Sequence, residues 1–206
     1  MNVVLLYLGA YLLGAIPFGV IIARLKGVNL LEVGSKNIGA TNVWRTLGPG
    51  PGAAAMILDI AKGMVPAIIA QQMLHNQVHA FFVGIAAVVG HSLSPFIGFK
   101  GGKGVATTGG AMLGSTPLVG LLAFILWVSI IIITRYVSLA SIIGIAAVPV
   151  FSFLLHDPAP IWITLIFIAA FVIYRHRANI ERLRNGTEPK FRFGSKKKDE
   201  DESDGR

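Results

Sequence analysis

Apolar residues fall along this chain in long runs, without strand-like alternation or a sparse helical stripe. The runs cover about Val3–Leu25, Ala53–Leu74, Ala80–Phe99, Leu118–Thr134, Val137–Leu155 and Ile161–Tyr174. A helix needs roughly 20 residues to cross hydrocarbon, with a range of about 17–25. The first five runs qualify; the last is shorter and is extended by Pro160 and Arg175 at its ends. The pattern predicts an all-α polytopic membrane protein. The first run is too long for a signal-peptide core, and it lacks a basic lead-in and a small-residue cleavage site. It reads as a retained first span.

Composition agrees. Of 206 residues, 54% are hydrophobic and 14% charged, and the mean hydropathy is +0.69. Soluble domains carry about a quarter charged residues. Cysteine is absent, which excludes a disulfide framework, a thiol nucleophile and a thiolate metal site. The net charge of +8 comes without any nucleic-acid-binding motif, so nucleic acid is not an expected partner. In a membrane chain these cations set topology and meet anionic lipid headgroups.

Charge sidedness changes the span count. Arg24, Lys26, Lys36 and Arg45 mark the loop after the first span as cytoplasmic, and Lys100 and Lys103 mark the loop after the third. Six spans would then place the C-terminal segment outside, although Arg175 to Lys198 holds nine Lys/Arg against two acidic residues. One more crossing removes the conflict. Gly104–Thr116, GVATTGGAMLGST, is uncharged and glycine-rich, and it suits a short helix near 104–116 that turns at Ser115–Pro117. The expectation is about seven transmembrane helices, with the N-terminus outside and the C-terminus cytoplasmic. Every Lys and Arg except Lys62 then lies on the cytoplasmic face. Residues 1–189 form one membrane-embedded domain. Residues 190–206, with their KKK and DEDESD blocks, form a polar, disordered tail.

Three polar segments share that cytoplasmic face. GFKGGKGVATT, residues 98–108, puts Lys100 and Lys103 among Gly101, Gly102 and Gly104. Successive glycine N–H groups can nest an anion, and Lys103 precedes the positive end of the expected short helix. The loop is not a Walker A motif: Gly98-x3-Gly102-Lys103 is one residue short, and Gly104 stands where Ser/Thr would bind magnesium. A flexible re-entry loop with topology lysines is the plainer alternative. GSKNIGATNVWRTLG, residues 34–48, groups Ser35, Asn37, Thr41, Asn42 and Arg45, donors for a second oxyanion or caps for a loop. HRANIERLRNGTE, residues 176–188, sets His176 and Asn179 on one helix face, where the imidazole can donate to phosphate or move a proton. Asp59 and Lys62, at i, i+3 within the second span, and His91 in the third are intramembrane polar groups. We expect Asp59 and Lys62 to pair and brace the site floor, with His91 in a similar supporting place. No HExxH or paired-carboxylate array points to a metal, and no nucleophile elbow points to a serine triad.

GSKNIGATNVWR, GHSLSPFIGFKGGKGVAT and HRANIERLRNGTE, in this order and with LDIAKG in the second span, resemble the motifs of the bacterial acyl-phosphate:glycerol-3-phosphate acyltransferases. The resemblance runs to about Phe193. It implies transfer of a fatty acyl group from acyl phosphate to the 1-hydroxyl of glycerol 3-phosphate. Lysophosphatidic acid and phosphate would be the products, in the cytoplasmic (inner) membrane, with the site on the cytosolic face and no cofactor or metal. It also implies site roles. Ser35, Arg45, Lys103, His176 and Asn179 would be polar site residues. Gly101, Gly102 and Gly104 would shape a phosphate loop, with Asn37, Thr41, Asn42 and Glu188 in a second tier and Lys100 beside them. Two departures stand out: Lys36 where the family usually has Gly, and Ser94 where it commonly has Pro. The rival class is a transporter or channel for phosphorylated solutes, since a glycine-broken short helix can form a substrate site. The crowding of polar residues on one face argues against a path through the bilayer.

Overall fold

The first apolar run is a broken span. In the computed structural model, which describes residues 3–191, α1 covers Val3–Ala15 and α2 covers Phe18–Leu25. Pro17 has no N–H to continue the helix. The freed carbonyls find partners from distant parts of the chain. Ser94 Oγ donates to Ala15 O at 2.6 Å, and Lys62 Nζ donates to Ile16 O at 3.0 Å.

The remaining elements are all helical: α3 Ala40–Leu47, α4 Pro49–Leu74, α5 Gln77–Ser92, α6 Val105–Ser115, α7 Pro117–Thr134, α8 Val137–Leu154, α9 Ala159–Arg175 and α10 Arg177–Arg184. Their ends follow local chemistry. Proline opens α4 and α7 at a position where no N–H is needed. The Asn76 side chain caps α5 by accepting the His79 N–H at 3.1 Å. The expected third span, to Phe99, ends early: α5 stops at Ser92, and Pro95 then starts a short 3-10 turn over Pro95–Ile97.

Among the described residues, five helical segments are long and apolar enough to cross a membrane, or six if the bent α9–α10 pair counts as one span. The broken α1–α2 run is one of the five. The short α6, predicted near 104–116, is present and turns into α7 at Thr116. Large apolar side chains such as Leu5, Ile133 and Phe167 point outward. That arrangement suits a lipid surround in which each helix satisfies its own backbone.

Small residues bring helices into backbone contact. A Cβ on Gly63 or Gly110 would lie 2.1 or 2.0 Å from a carbonyl oxygen of the facing helix, so α4 and α6 touch there. The same holds for α1 and α5 at Gly14 and Gly90. The largest core joins α5, α6, α8 and α9 around Phe81, Met112, Ile145 and Leu165. The polar tail falls almost entirely outside the described residues. Its first residues pack: the Phe191 N–H donates to Arg135 O at 2.6 Å, and its ring centroid lies 4.9 Å from that of Trp44.

Candidate active site

The glycine loop folds back on the end of α5. The Gly101 N–H donates to Ser92 O at 3.2 Å and the Gly102 N–H to His91 O at 3.1 Å. A Cβ at Gly102 would fall 2.0 Å from His91 Nε2, so only glycine allows this approach. Arg175 holds the other side of the loop, donating to Gly101 O at 2.7 Å and to Gly102 O at 3.2 Å. Two of the N–H groups expected to nest an anion are therefore already occupied. The first-turn N–H groups of α6, which follows Gly104 (φ 88°), have no acceptor within the helix and suit an anion. The two lysines also part company. Lys103 turns inward to the cavity, whereas Lys100 is exposed and stands apart from it.

The third segment supplies the partner network. His176, between α9 and α10, is buried, and its Nδ1 donates to Val172 O at 2.8 Å. In the neutral ring Nε2 then carries the lone pair. Lys103 Nζ donates to the Asn179 side-chain oxygen, and Asn179 Nδ2 donates to Glu188 Oε1 at 2.9 Å. Arg182 Nε donates to Glu188 Oε2 at 2.7 Å. Burial raises the Glu188 pKa, but the hydrogen bonds from Asn179 and Arg182 outweigh it and hold the carboxyl below its usual range. Burial, chiefly, pushes Lys103 down to about 8, with Glu188 opposing and three arginines assisting.

The first segment closes the mouth. On α3, Arg45 donates to Pro189 O at 3.0 Å and stands 4.0 Å from Glu188. Asn42 is engaged within its own loop. It accepts the Ser35 N–H at 2.9 Å, and its amide hydrogens have Leu30 O, Val33 O and Asn37 O within 3.4 Å. Its side chain thus braces residues 30–37 and has no donor left for a ligand. Asn37 Oδ1 accepts the Gly39 N–H at 2.9 Å, which sets the entry to α3. Lys36 adopts φ 55°, a left-handed conformation that favours glycine.

Beneath the loop, Lys62 Nζ lies 2.8 Å from Asp59 Oδ1, and His91 Nδ1 lies 3.8 Å from the same oxygen. All three are buried. The expected pairing is present, and Lys62 also bonds to the break in the first span.

These segments converge on one cavity of about 190 Å³. Its polar end is walled by Ser35, Asn37, Thr41, Arg45, Lys103, His176 and Glu188, with Asp59 and His91 on the floor. From there it continues as an apolar limb between α6, α7 and α8, past Met112, Phe124, Trp127, Ile145 and Val148.

A family model described as glycerol-3-phosphate acyltransferase matches residues 4–186. The chain belongs to the glycerol-3-phosphate acyltransferase family. A relative from Aquifex aeolicus is 46% identical over 93% of this chain and 100% of its own. One from Geobacter sulfurreducens is 46% identical over 93% and 99%. Each carries the family's description. The crystal structure of PlsY, an integral membrane glycerol 3-phosphate acyltransferase, in its glycerol 3-phosphate form, superposes with a TM-score of 0.88 at 45% identity. It covers 93% of this chain and 96% of that one. The lysophosphatidic acid form gives 0.85 at 44% identity, with the same coverage. Membership in this acyltransferase family makes the protein an enzyme rather than a transporter.

Within the family's frame, the two departures acquire physical content. Lys36 holds a backbone conformation that glycine adopts without strain. Ser94 uses its hydroxyl to tie the end of α5 to the broken first span. Sequence reasoning gave no site role to Arg175 or Arg182, although one clamps the loop and the other the carboxylate. It also passed over Ser138, at the polar end beside Glu188, and Trp127 and Ser141, which line the limb from α7 and α8. Their apolar setting offered no local signal.

Proposed function

We propose that the protein transfers a fatty acyl group from acyl phosphate to the 1-hydroxyl of glycerol 3-phosphate, as a step of phospholipid synthesis. The observation that carries this reading is one cavity with a cationic mouth and an apolar limb. Arg45, Lys103 and the α6 N-terminus suit phosphate, and the limb suits an acyl chain that enters from lipid. Ser35, Asn37 and Thr41 line the mouth as further donors, and Glu188 and Asn179 hold Lys103 and Arg45 in place. Asp59, Lys62 and His91 support the floor from below.

The chemistry is direct transfer. The hydroxyl oxygen attacks the acyl carbon, the carbon–oxygen bond to phosphate breaks, and lysophosphatidic acid and phosphate leave. The hydroxyl proton goes to the departing phosphate or to His176 Nε2. A mixed anhydride brings its own leaving group, so a protein nucleophile is unnecessary. The chain supplies proximity and preorganised positive charge. We place residues 1–189 as the catalytic domain, in the inner membrane with the mouth facing the cytosol, and residues 190–206 as a polar appendage.

The test is purified protein in detergent, with acyl phosphate and glycerol 3-phosphate and no compartments. Phosphate and lysophosphatidic acid should appear together. Arg45→Ala and Lys103→Ala should each lower kcat/KM by about 10- to 100-fold, the worth of a charged hydrogen bond. Product formation from an acyl thioester alone, or a trapped acyl-enzyme, would overturn the donor or the direct route.

A further inference from the structure

Two glycines line the apolar limb although neither packing nor backbone geometry in the protein requires them. Helix glycines in membrane proteins ordinarily let helices approach. Gly110 fits that account, since its Cβ would lie 2.0 Å from Ile60 O. Its neighbour Gly109 does not, because a Cβ there would meet nothing within 4 Å. Gly144 on α8 is similar: its Cβ would only touch Trp127 Cβ and Cδ1, both at 3.8 Å, which is ordinary contact. Neither glycine has a positive φ. Both line the cavity. Glycine inside a helix costs about 1 kcal/mol relative to alanine, and here neither packing nor backbone geometry offsets that cost.

Their depth matters. Gly109 is five residues beyond Gly104, and Gly144 is six beyond Ser138, so each sits about 8–9 Å below the polar end at 1.5 Å per residue. Below them the limb continues to Met112 on α6 and Val148 on α8. An acyl chain whose carbonyl lies at the cationic mouth must pass between α6 and α8 at this level to reach the deeper part.

We propose that Gly109 and Gly144 are specificity-determining residues, and that the space above their Cα atoms admits the distal half of a long acyl chain. The inference rests on the acyl-phosphate reading of the site. Side chains placed there fill the limb from its walls and leave the mouth untouched. Long chains lose their lower contacts, while chains ending above this level do not reach the obstruction. A pocket wall discriminates by about 10- to 200-fold when one or a few methylenes no longer fit.

The experiment measures kcat/KM for octanoyl, lauroyl and palmitoyl phosphate with wild-type protein and with Gly109→Val, Gly144→Ala, Gly144→Val and Gly144→Leu. The expected result is a palmitoyl-to-octanoyl selectivity ratio that falls stepwise from Ala to Leu at 144, by about tenfold or more for Leu. Should the leucine variant not insert, the alanine and valine variants carry the series. A second readout avoids the donor altogether: long-chain lysophosphatidic acid should raise the melting temperature of wild-type protein more than of Gly144→Val, while the short-chain form should not distinguish them. A selectivity ratio unchanged across folded variants overturns the proposal. Wild-type protein inactive with every acyl phosphate overturns the donor assignment instead, and the melting series then decides the glycines by itself.

Discussion

The Asn179 amide donates to the Glu188 carboxylate at 2.9 Å, nine positions further along the chain. Its oxygen meanwhile accepts from Lys103 on the glycine loop. One buried asparagine therefore links the second and third polar segments. The carboxylate it holds also receives Arg182 and faces Arg45 of the first segment. The cationic groups of all three segments thus gather around the Glu188 carboxylate.

Glu188→Gln should weaken all of these links. Removing the charge takes away the main influence that raises the Lys103 pKa, so that pKa should fall below about 8. Stability should drop by about 1–3 kcal/mol, because buried donors lose a charged acceptor. Thermal unfolding in detergent measures the second effect. A pH–rate profile whose alkaline limb moves to lower pH measures the first.

Lys103 itself predicts a pH dependence. It is charged below about 8 and neutral above, whereas an unfolded lysine keeps its proton to 10.5. Phosphate binding needs the charged form, so kcat/KM for glycerol 3-phosphate should fall as pH rises through about 8. Lys103→Arg should move that limb upward. The apo protein has the opposite sign: the unfolded chain binds the proton more tightly, so stability should rise between about 8 and 10.5. Rate profiles and unfolding curves over the same range check both slopes.

Lys36→Gly should stabilise the protein by about 1 kcal/mol, because φ 55° strains a residue with a Cβ. The same change removes a cation between Ser35 and Asn37 at the mouth, so KM for glycerol 3-phosphate should rise modestly at low salt and converge with wild type at high salt. Melting curves and a salt series separate the two effects.

Ser94→Ala should leave the Ala15 carbonyl without its hydroxyl partner at the break in the first span. The cost should be about 1–3 kcal/mol. A melting temperature equal to wild type would show that the bond contributes nothing.

Sidedness is open to chemical labelling, because the chain has no cysteine. Lys26→Cys and Lys100→Cys should react with an impermeant thiol reagent only from the cytosolic side. His75→Cys and His156→Cys should react only from the other side. Labelling of Lys100→Cys from outside would invert the orientation proposed here.

Local pattern was enough for most of the long helices and for the three motifs, but not for the break between α1 and α2 or the early end of α5. Runs of apolar residues, proline at Pro49 and Pro117, and the glycine-rich stretch before Val105 act within a few residues of where they stand, so they are legible one window at a time. The bonds that make the site are not. Ser94 meets Ala15 across 79 positions, and Arg45 meets Pro189 across 144. Lys100 and Lys103 stand three positions apart in one glycine-rich loop, and the fold of that loop against His91 and Arg175 turns Lys103 inward and leaves Lys100 in solvent. The limb is likewise a tertiary object, because Gly109 and Gly110 are identical residues about 100° apart around one helix. Gly110 is pressed against α4, and Gly109 opens onto the cavity. Hydrophobicity and turn chemistry act locally, and so the chain by itself decided what crosses the membrane. Which groups face one another depends on how the helices pack, and that was decided only in three dimensions.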